Sequence, residues 1–235
     1  MLDWCEIVWE DVRVRNTGLV ILSLVVLAAC APRHAPPNAS MRSTGMGIDP
    51  YGHTRLSEMR DAVPPDEMAH TQRLLAILRK ELVRYADPAA AERDGYAREG
   101  EDVPVGALKH FFNYANYVKN FDHLDPEAPP AILYRRTKTG FELAGVMFTA
   151  PITSSMDELD RRVPLALGHW HAHRNLCVPK PGSPPLSAAD RRRFGFSGSI
   201  ATREACDAAG GVFLDNVYGW MTHVYPYAPT LAEAF

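Results

Sequence analysis

From Gly18 to Ala29 the chain reads Gly-Leu-Val-Ile-Leu-Ser-Leu-Val-Val-Leu-Ala-Ala, twelve residues without a charge, closed by Cys30. No other feature narrows the possible folds as much. The run is shorter than the roughly 20 apolar residues of a membrane-spanning helix. Its length suits the apolar stretch of a secretory signal, with Arg13 and Arg15 in front of it. Asp3, Glu6, Glu10 and Asp11 precede those arginines where such a signal is normally positive. Translation is therefore expected to start downstream, at Val12 or Val14. The folded part lies beyond Cys30, in a chain of 235 residues that is 46% hydrophobic and 23% charged. That is enough for one core and excludes a disordered, collagen-like or coiled-coil chain. A net charge of −3, with no basic arm, excludes nucleic acid as an expected partner.

Leu27-Ala28-Ala29-Cys30 resembles the lipobox of bacterial lipoprotein signals. The resemblance implies removal of residues 1–29 as a signal peptide and lipidation of Cys30, which anchors the chain to the membrane through its lipid. Ala31 rather than Asp follows the cysteine. In Gram-negative lipoproteins this implies the periplasmic face of the outer membrane. The mature chain would hold 23 basic and 24 acidic residues. Residues 30–62 read as the lipidated cysteine and a flexible tether rich in Pro, Ser, Gly and Asn, and 63–235 as a single domain.

Within that domain, Met68, Leu75, Leu78, Leu82 and Tyr85 recur at helical spacing after Pro64-Pro65-Asp66, which predicts a helix over 66–85. Asp87-Pro88 predicts a capped short helix ending at Gly95, followed by loop over 96–106. Strands are expected at 110–118, at 131–136 and 141–149 around Thr137-Lys138-Thr139-Gly140, at 165–175, at 212–214 and at 218–225. Ser187 to Asp190 and Thr202 each predict the start of a short helix, the second ending at Gly210-Gly211. The fold class expected is α+β, with N-terminal helices on a mainly antiparallel sheet of five or six strands.

His169-Trp170-His171-Ala172-His173 carries the chemistry. In a strand these three imidazoles share one face, adjacent ones about 6.6 Å apart at Cα and the outer pair about 13 Å apart. One His-x-His pair can thus share an ion at bonds of about 2.0–2.1 Å, whereas all three cannot easily do so. His171 and His173 are the expected pair, with His110 and His223 as further ligands. His169 is expected to stand behind them or to replace one. The ion would be a transition metal, zinc or copper first and iron next. Met221, two residues from His223, leans towards copper, and Glu142 would lean towards iron or catalytic zinc. Trp220 is a further neighbour. The competing reading is a row of ordinary surface or hydrogen-bonded histidines.

Cys177 and Cys206 remain after the signal and the lipidated cysteine are set aside, and an even pair in an oxidising envelope predicts a disulfide. The alternative is Cys177 as a thiolate ligand. Asp122, His123, Asp125 and Glu127 form a polar cluster read as a solvated loop, and Arg191-Arg192-Arg193 reads as a solvated helix face. Tyr218, Trp220, Tyr225 and Tyr227 suit either a ligand groove or a packed sheet face.

Several segments together resemble a group of secreted or lipid-anchored bacterial proteins without an assigned activity. They are Tyr85-Ala-Asp-Pro-Ala-Ala-Ala, Asp94-Gly95-Tyr96, the His-Phe-Phe-Asn of 110–113, Leu124-Asp-Pro-Glu127, Ala131 to Tyr134, and Gly140 to Phe148. The resemblance spans about residues 70–150, implies an envelope protein, and places His110 in a motif of that group. The His-x-His strand is also similar to cupin metal strands, although the cupin glutamate and second glycine-rich motif have no counterpart. Three functions follow as expectations: a metal-binding envelope lipoprotein, a metal-dependent hydrolase or oxygenase-like enzyme with an open coordination position, and a structural or partner-binding lipoprotein without metal.

Overall fold

A computed structural model describes residues 49–235 apart from 101 and 185. The chain divides into two units, Met1–Ala35 and Pro36–Phe235, and the described residues belong to the second. The signal, Cys30 and most of the expected tether lie outside the described residues.

A mixed α+β architecture is present: five α-helices and one antiparallel sheet among the described residues. The sheet has seven strands rather than five or six. These are β1 (Thr54–Leu56), β2 (Ala97–Arg98), β3 (Leu108–Phe112), β4 (Ala131–Arg136), β5 (Phe141–Ala150), β6 (His171–Val178) and β7 (Val212–Val224), in the order β1-β6-β7-β5-β4-β3-β2. Two short edge strands account for the difference. β1 arises inside the stretch read as tether and pairs with β6 at His171 to His173. β2 arises in the stretch expected to be loop and pairs with β3.

The helices are α1 (Pro65–Glu81), α2 (Pro88–Arg93), α3 (Tyr114–Lys119), α4 (Met156–Arg162) and α5 (Arg203–Ala208). They are spread along the chain and not gathered at its N-terminal end. α1 opens on a proline with Asp66 and Glu67 in its first turn and closes with Arg79 and Lys80, charges that suit the helix dipole. Its buried face, Leu74, Leu75 and Leu78, packs with Phe111, Phe148 and Trp220 from the sheet and with Trp170 just before β6. The expected caps are present: Asp87 accepts from the Ala89 N–H at 3.0 Å and Thr202 from the Ala205 N–H at 3.3 Å. Ser187 likewise accepts from the Asp190 N–H, although only one 3-10 turn, Asp190–Arg192, follows it.

The aromatic strand expected over 110–118 stops at Phe112. Asn113 accepts from the Asn116 N–H at 3.1 Å and starts α3, so a side-chain cap overrides the alternation. The strand expected at 165–175 begins only at His171, after turns that follow α4. The two strands expected at 212–214 and 218–225 are one strand, β7, broken by a bulge. Ala172 pairs with Trp220 and its neighbour His173 with Val217, leaving Tyr218 and Gly219 as extra residues. Both are left-handed, with φ of 58° and 76°, and a Cβ on Gly219 would meet the Ala150 carbonyl oxygen at 2.4 Å.

The sheet curls. β3 and β7 are separated by β4 and β5, which in a flat sheet places them about 14 Å apart. Phe112 of β3 nevertheless stacks on Tyr218 of β7 with ring centroids 4.4 Å apart. Gly145 helps the strands close in: a Cβ there would meet the Val224 carbonyl oxygen at 2.2 Å. α1, α2 and α4 pack on one face of the sheet. On the other, concave face Tyr117 of α3 packs with Phe112 and Tyr218, and the rest is left for other work.

Candidate metal centre

Alternation along each strand sends neighbouring side chains to opposite faces. Phe111 and Trp170 enter the helix-side core, while His110 of β3, His171 and His173 of β6, and His223 of β7 turn to the concave face. Ring centroids are 5.3 Å apart for His110 and His223, 5.4 Å for His171 and His223, and 5.2 Å for His171 and His173. The curl brings together four imidazoles from three strands.

The Nε2 atoms of His110 and His223 are 3.3 Å apart. Two nitrogens bound to one tetrahedral ion at about 2.0–2.1 Å would lie about 3.3 Å from each other. The pairwise spacing therefore matches shared ligation, but the arrangement of the whole does not. Among the described residues, no group of three or more His, Cys, Asp or Glu side chains is arranged to hold a metal ion. The rings are gathered but not all aimed at one point.

Hydrogen bonding engages some of the ring nitrogens and leaves one without a partner. The carbonyl of His169 can only accept, so the His171 Nδ1–H donates to it at 3.3 Å, which leaves the Nε2 lone pair of His171 exposed to the cluster. The hydroxyl of Tyr225 lies 3.3 Å from Nδ1 of His223. The Nδ1 of His173 is buried without a hydrogen-bond partner among the described residues. Such an atom costs free energy unless something satisfies it.

The site holds these rings neutral. Burial pushes His110 down to about 4, with help from His171 and Lys109. Burial, followed by His171 and His110, pushes His173 down to about 3. His223 lies well below imidazole's usual 6.5, through burial and then the other three rings, and His171 is lowered by burial. His171 is buried, while His110, His173 and His223 are half-buried, each keeping an edge open. Neutral imidazole is the form that binds a metal.

That open edge meets a cleft of about 290 Å³. His110 and His173 line it together with Met147, Met221, Leu176 and Val217. Phe196 packs edge-on against His173 with centroids 4.6 Å apart, forming one wall. At the other side the Tyr218 hydroxyl donates to Glu99 and lies 3.1 Å from the Tyr114 hydroxyl. Burial and Glu99 together raise the Tyr218 phenol, so it stays protonated.

The remaining sequence-derived residues lie elsewhere or play other parts. His169 precedes β6 and serves the cluster through its backbone. Met221 is on the concave face, opposite His171. Trp220 is buried in the helix-side core with the Arg55 guanidinium over its ring. Glu142 is exposed at the hairpin end of β5 and lines a different cleft with Tyr225 and Tyr227. Asp122 and His123 belong to a third cleft, of about 390 Å³, with Arg161 and Arg162. Cys177 and Cys206 form a disulfide with a Cα separation of 5.5 Å, tying β6 to α5, so Cys177 is not a thiolate ligand. Reasoning from the sequence missed Met147, Phe196 and the Glu99–Tyr218 pair. Met147 had a signal there, since the hairpin at 137–140 fixes its strand, and Tyr218 stands among the aromatics that suit either a ligand groove or a packed sheet face.

Compared with protein-family models, curated proteins and solved structures, the chain matches none of them.

Proposed function

We propose that this is a lipid-anchored protein of the bacterial envelope that binds one transition-metal ion through His110, His171, His173 and His223. The observation that carries the reading is the meeting of four neutral imidazoles from three strands, two of their Nε2 atoms 3.3 Å apart. Gathering four such rings, one buried and three half-buried, for packing alone is a poor use of a sheet face, because each is a polar group that must find partners. The orphaned Nδ1 of His173 points the same way.

The lipobox-like Leu27-Ala28-Ala29-Cys30 supports the anchor, and with it the periplasmic face of the outer membrane. The Cys177–Cys206 disulfide suits an oxidising compartment. No helix among the described residues is long and apolar enough to cross a membrane. Elemental analysis of the full chain, purified from membranes without a His tag, tests the reading. About one equivalent of a single transition metal is expected, and its loss in the His171→Ala/His173→Ala variant. No metal after incubation with zinc, copper and iron would overturn it and favour a structural or partner-binding lipoprotein.

A second reading, a metal-dependent enzyme, is favoured by the cleft, which reaches His110 and His173 and has room for a small molecule. Under that reading one coordination position stays open to water or substrate. Binding of azide or cyanide to the loaded protein, followed by its metal spectrum, separates an open site from a saturated one.

A further inference from the structure

The concave face carries two methionines in register with two of the histidines. Met147 of β5 lies directly opposite His223 of β7, and Met221 of β7 directly opposite His171 of β6. Residues opposite each other across antiparallel strands have Cβ atoms about 4.5–5.5 Å apart and share a face. Both methionines are nearly inaccessible, at 2% and 4%, and both line the cleft with His110 and His173.

Charge is the second observation. Among the described residues, Glu99 is the one carboxylate lining that cleft, and it already accepts from Tyr218. The other polar side chains lining the cleft are imidazoles and a phenol, and of the charged groups beyond it Asp49 acts on His173 and Lys109 on His110. A divalent ion placed here would bring two charges into a poorly solvated site where no carboxylate belongs to the histidine cluster itself and Lys109 opposes it, which is costly. A monovalent ion brings half that charge. Thioether sulfur and imidazole are, moreover, the ligands that a soft monovalent metal prefers.

We infer that the ion is copper(I), held by imidazoles of the cluster together with the thioether sulfurs of Met147 and Met221. This rests on the metal-binding reading above and narrows it to one ion and two further ligands. Both residues also pack with Phe112, Ala131 and Leu133, so methionine as simple core filling is the competing account.

The test titrates the full chain in detergent micelles with copper(I) against bicinchoninate under anaerobic conditions, and with zinc(II) against a chromogenic chelator in parallel. Leucine is close to methionine in volume and keeps the packing. The Met147→Leu/Met221→Leu variant is expected to bind copper(I) at least about tenfold more weakly and zinc(II) within twofold of the parent. X-ray absorption of the copper-loaded parent should show sulfur scatterers that the variant lacks. If the variant fails to fold by circular dichroism, the parent's sulfur shell decides alone. Equal copper(I) affinity in parent and variant, or a parent spectrum with nitrogen scatterers only, would overturn the sulfur ligation and leave the histidine site standing. Failure of the parent to bind either ion would overturn both.

Discussion

The two faces of the sheet contrast sharply. On the helix side, Leu75, Leu78 and Leu82 meet Ile132, Phe148, Trp170 and Trp220, and the Trp170 indole N–H donates to the Val163 carbonyl at 3.1 Å. On the concave side a small apolar cluster around Phe112, Leu133, Met147 and Met221 surrounds four imidazoles, one with an unpartnered nitrogen. The first face is chemistry that stabilises a fold. The second gives up packing for polar groups gathered at one place, as proteins do where a site must bind something. One strand serves both faces: in β6, Ala172 joins the helix-side core while His171 and His173 on either side of it do not.

This contrast can be broken by experiment. Leu78→Ala, at the fully buried centre of α1, is expected to cost about 4–5 kcal/mol, the upper part of the range for buried leucines. Urea unfolding measures it, and metal content per folded molecule should not change. Cys177→Ala/Cys206→Ala releases a loop closed over a separation of 29 residues and should cost about 3–4 kcal/mol in the same assay. Because Phe196 lies within that loop and packs on His173, this variant should also exchange metal faster, as stopped-flow chelation would show.

Acid provides a third test. In the metal-free chain His110 and His173 titrate near 4 and 3, whereas an unfolded chain protonates near 6.5. The unfolded state therefore binds more protons below 6.5. Stability is complete above that pH and falls as pH drops towards 4, by up to about 1.4 kcal/mol per pH unit for each imidazole. Unfolding midpoints measured from pH 7 to pH 4 check this, and a flat profile would mean that the rings are not held neutral. The smallest effect on stability is expected for His171→Ala/His173→Ala, within about 1 kcal/mol, since the lost packing is offset by removal of an unpartnered nitrogen. A large loss of stability there would make the concave face a second structural core.

Legibility in the sequence follows how local the cause is. α1 shows in its 3.6-residue period, the β4–β5 hairpin in its turn residues, α2 in Asp87-Pro88, and the disulfide in cysteine counting. Each is a short-range signal. α3 was hidden because the Asn113 cap competes with an aromatic alternation that reads equally well as strand. His169 could not be separated from His171 and His173, because nothing local marks His171 as the first residue of β6. The convergence of His110 with His223 was open only as a supposition. It depends on the curl, the close approach at Gly145 and the bulge at Tyr218-Gly219, all set by pairings between distant strands.

The contact between His110 and His223 joins residues 113 positions apart, and it crosses between strands that share no backbone hydrogen bonds. Contacts of such long sequence separation form late, because the loop entropy they close must first be met by shorter-range structure. β4 and β5 must be paired, and β7 laid against β5, before the two rings can meet. Under the proposed reading of an exported metal-binding protein, a chain still unfolded has its histidines scattered, with no assembled pocket to trap an ion prematurely. Under that reading the capacity to capture one arises only with the last stage of folding, so occupancy would serve as a record that the sheet has been completed.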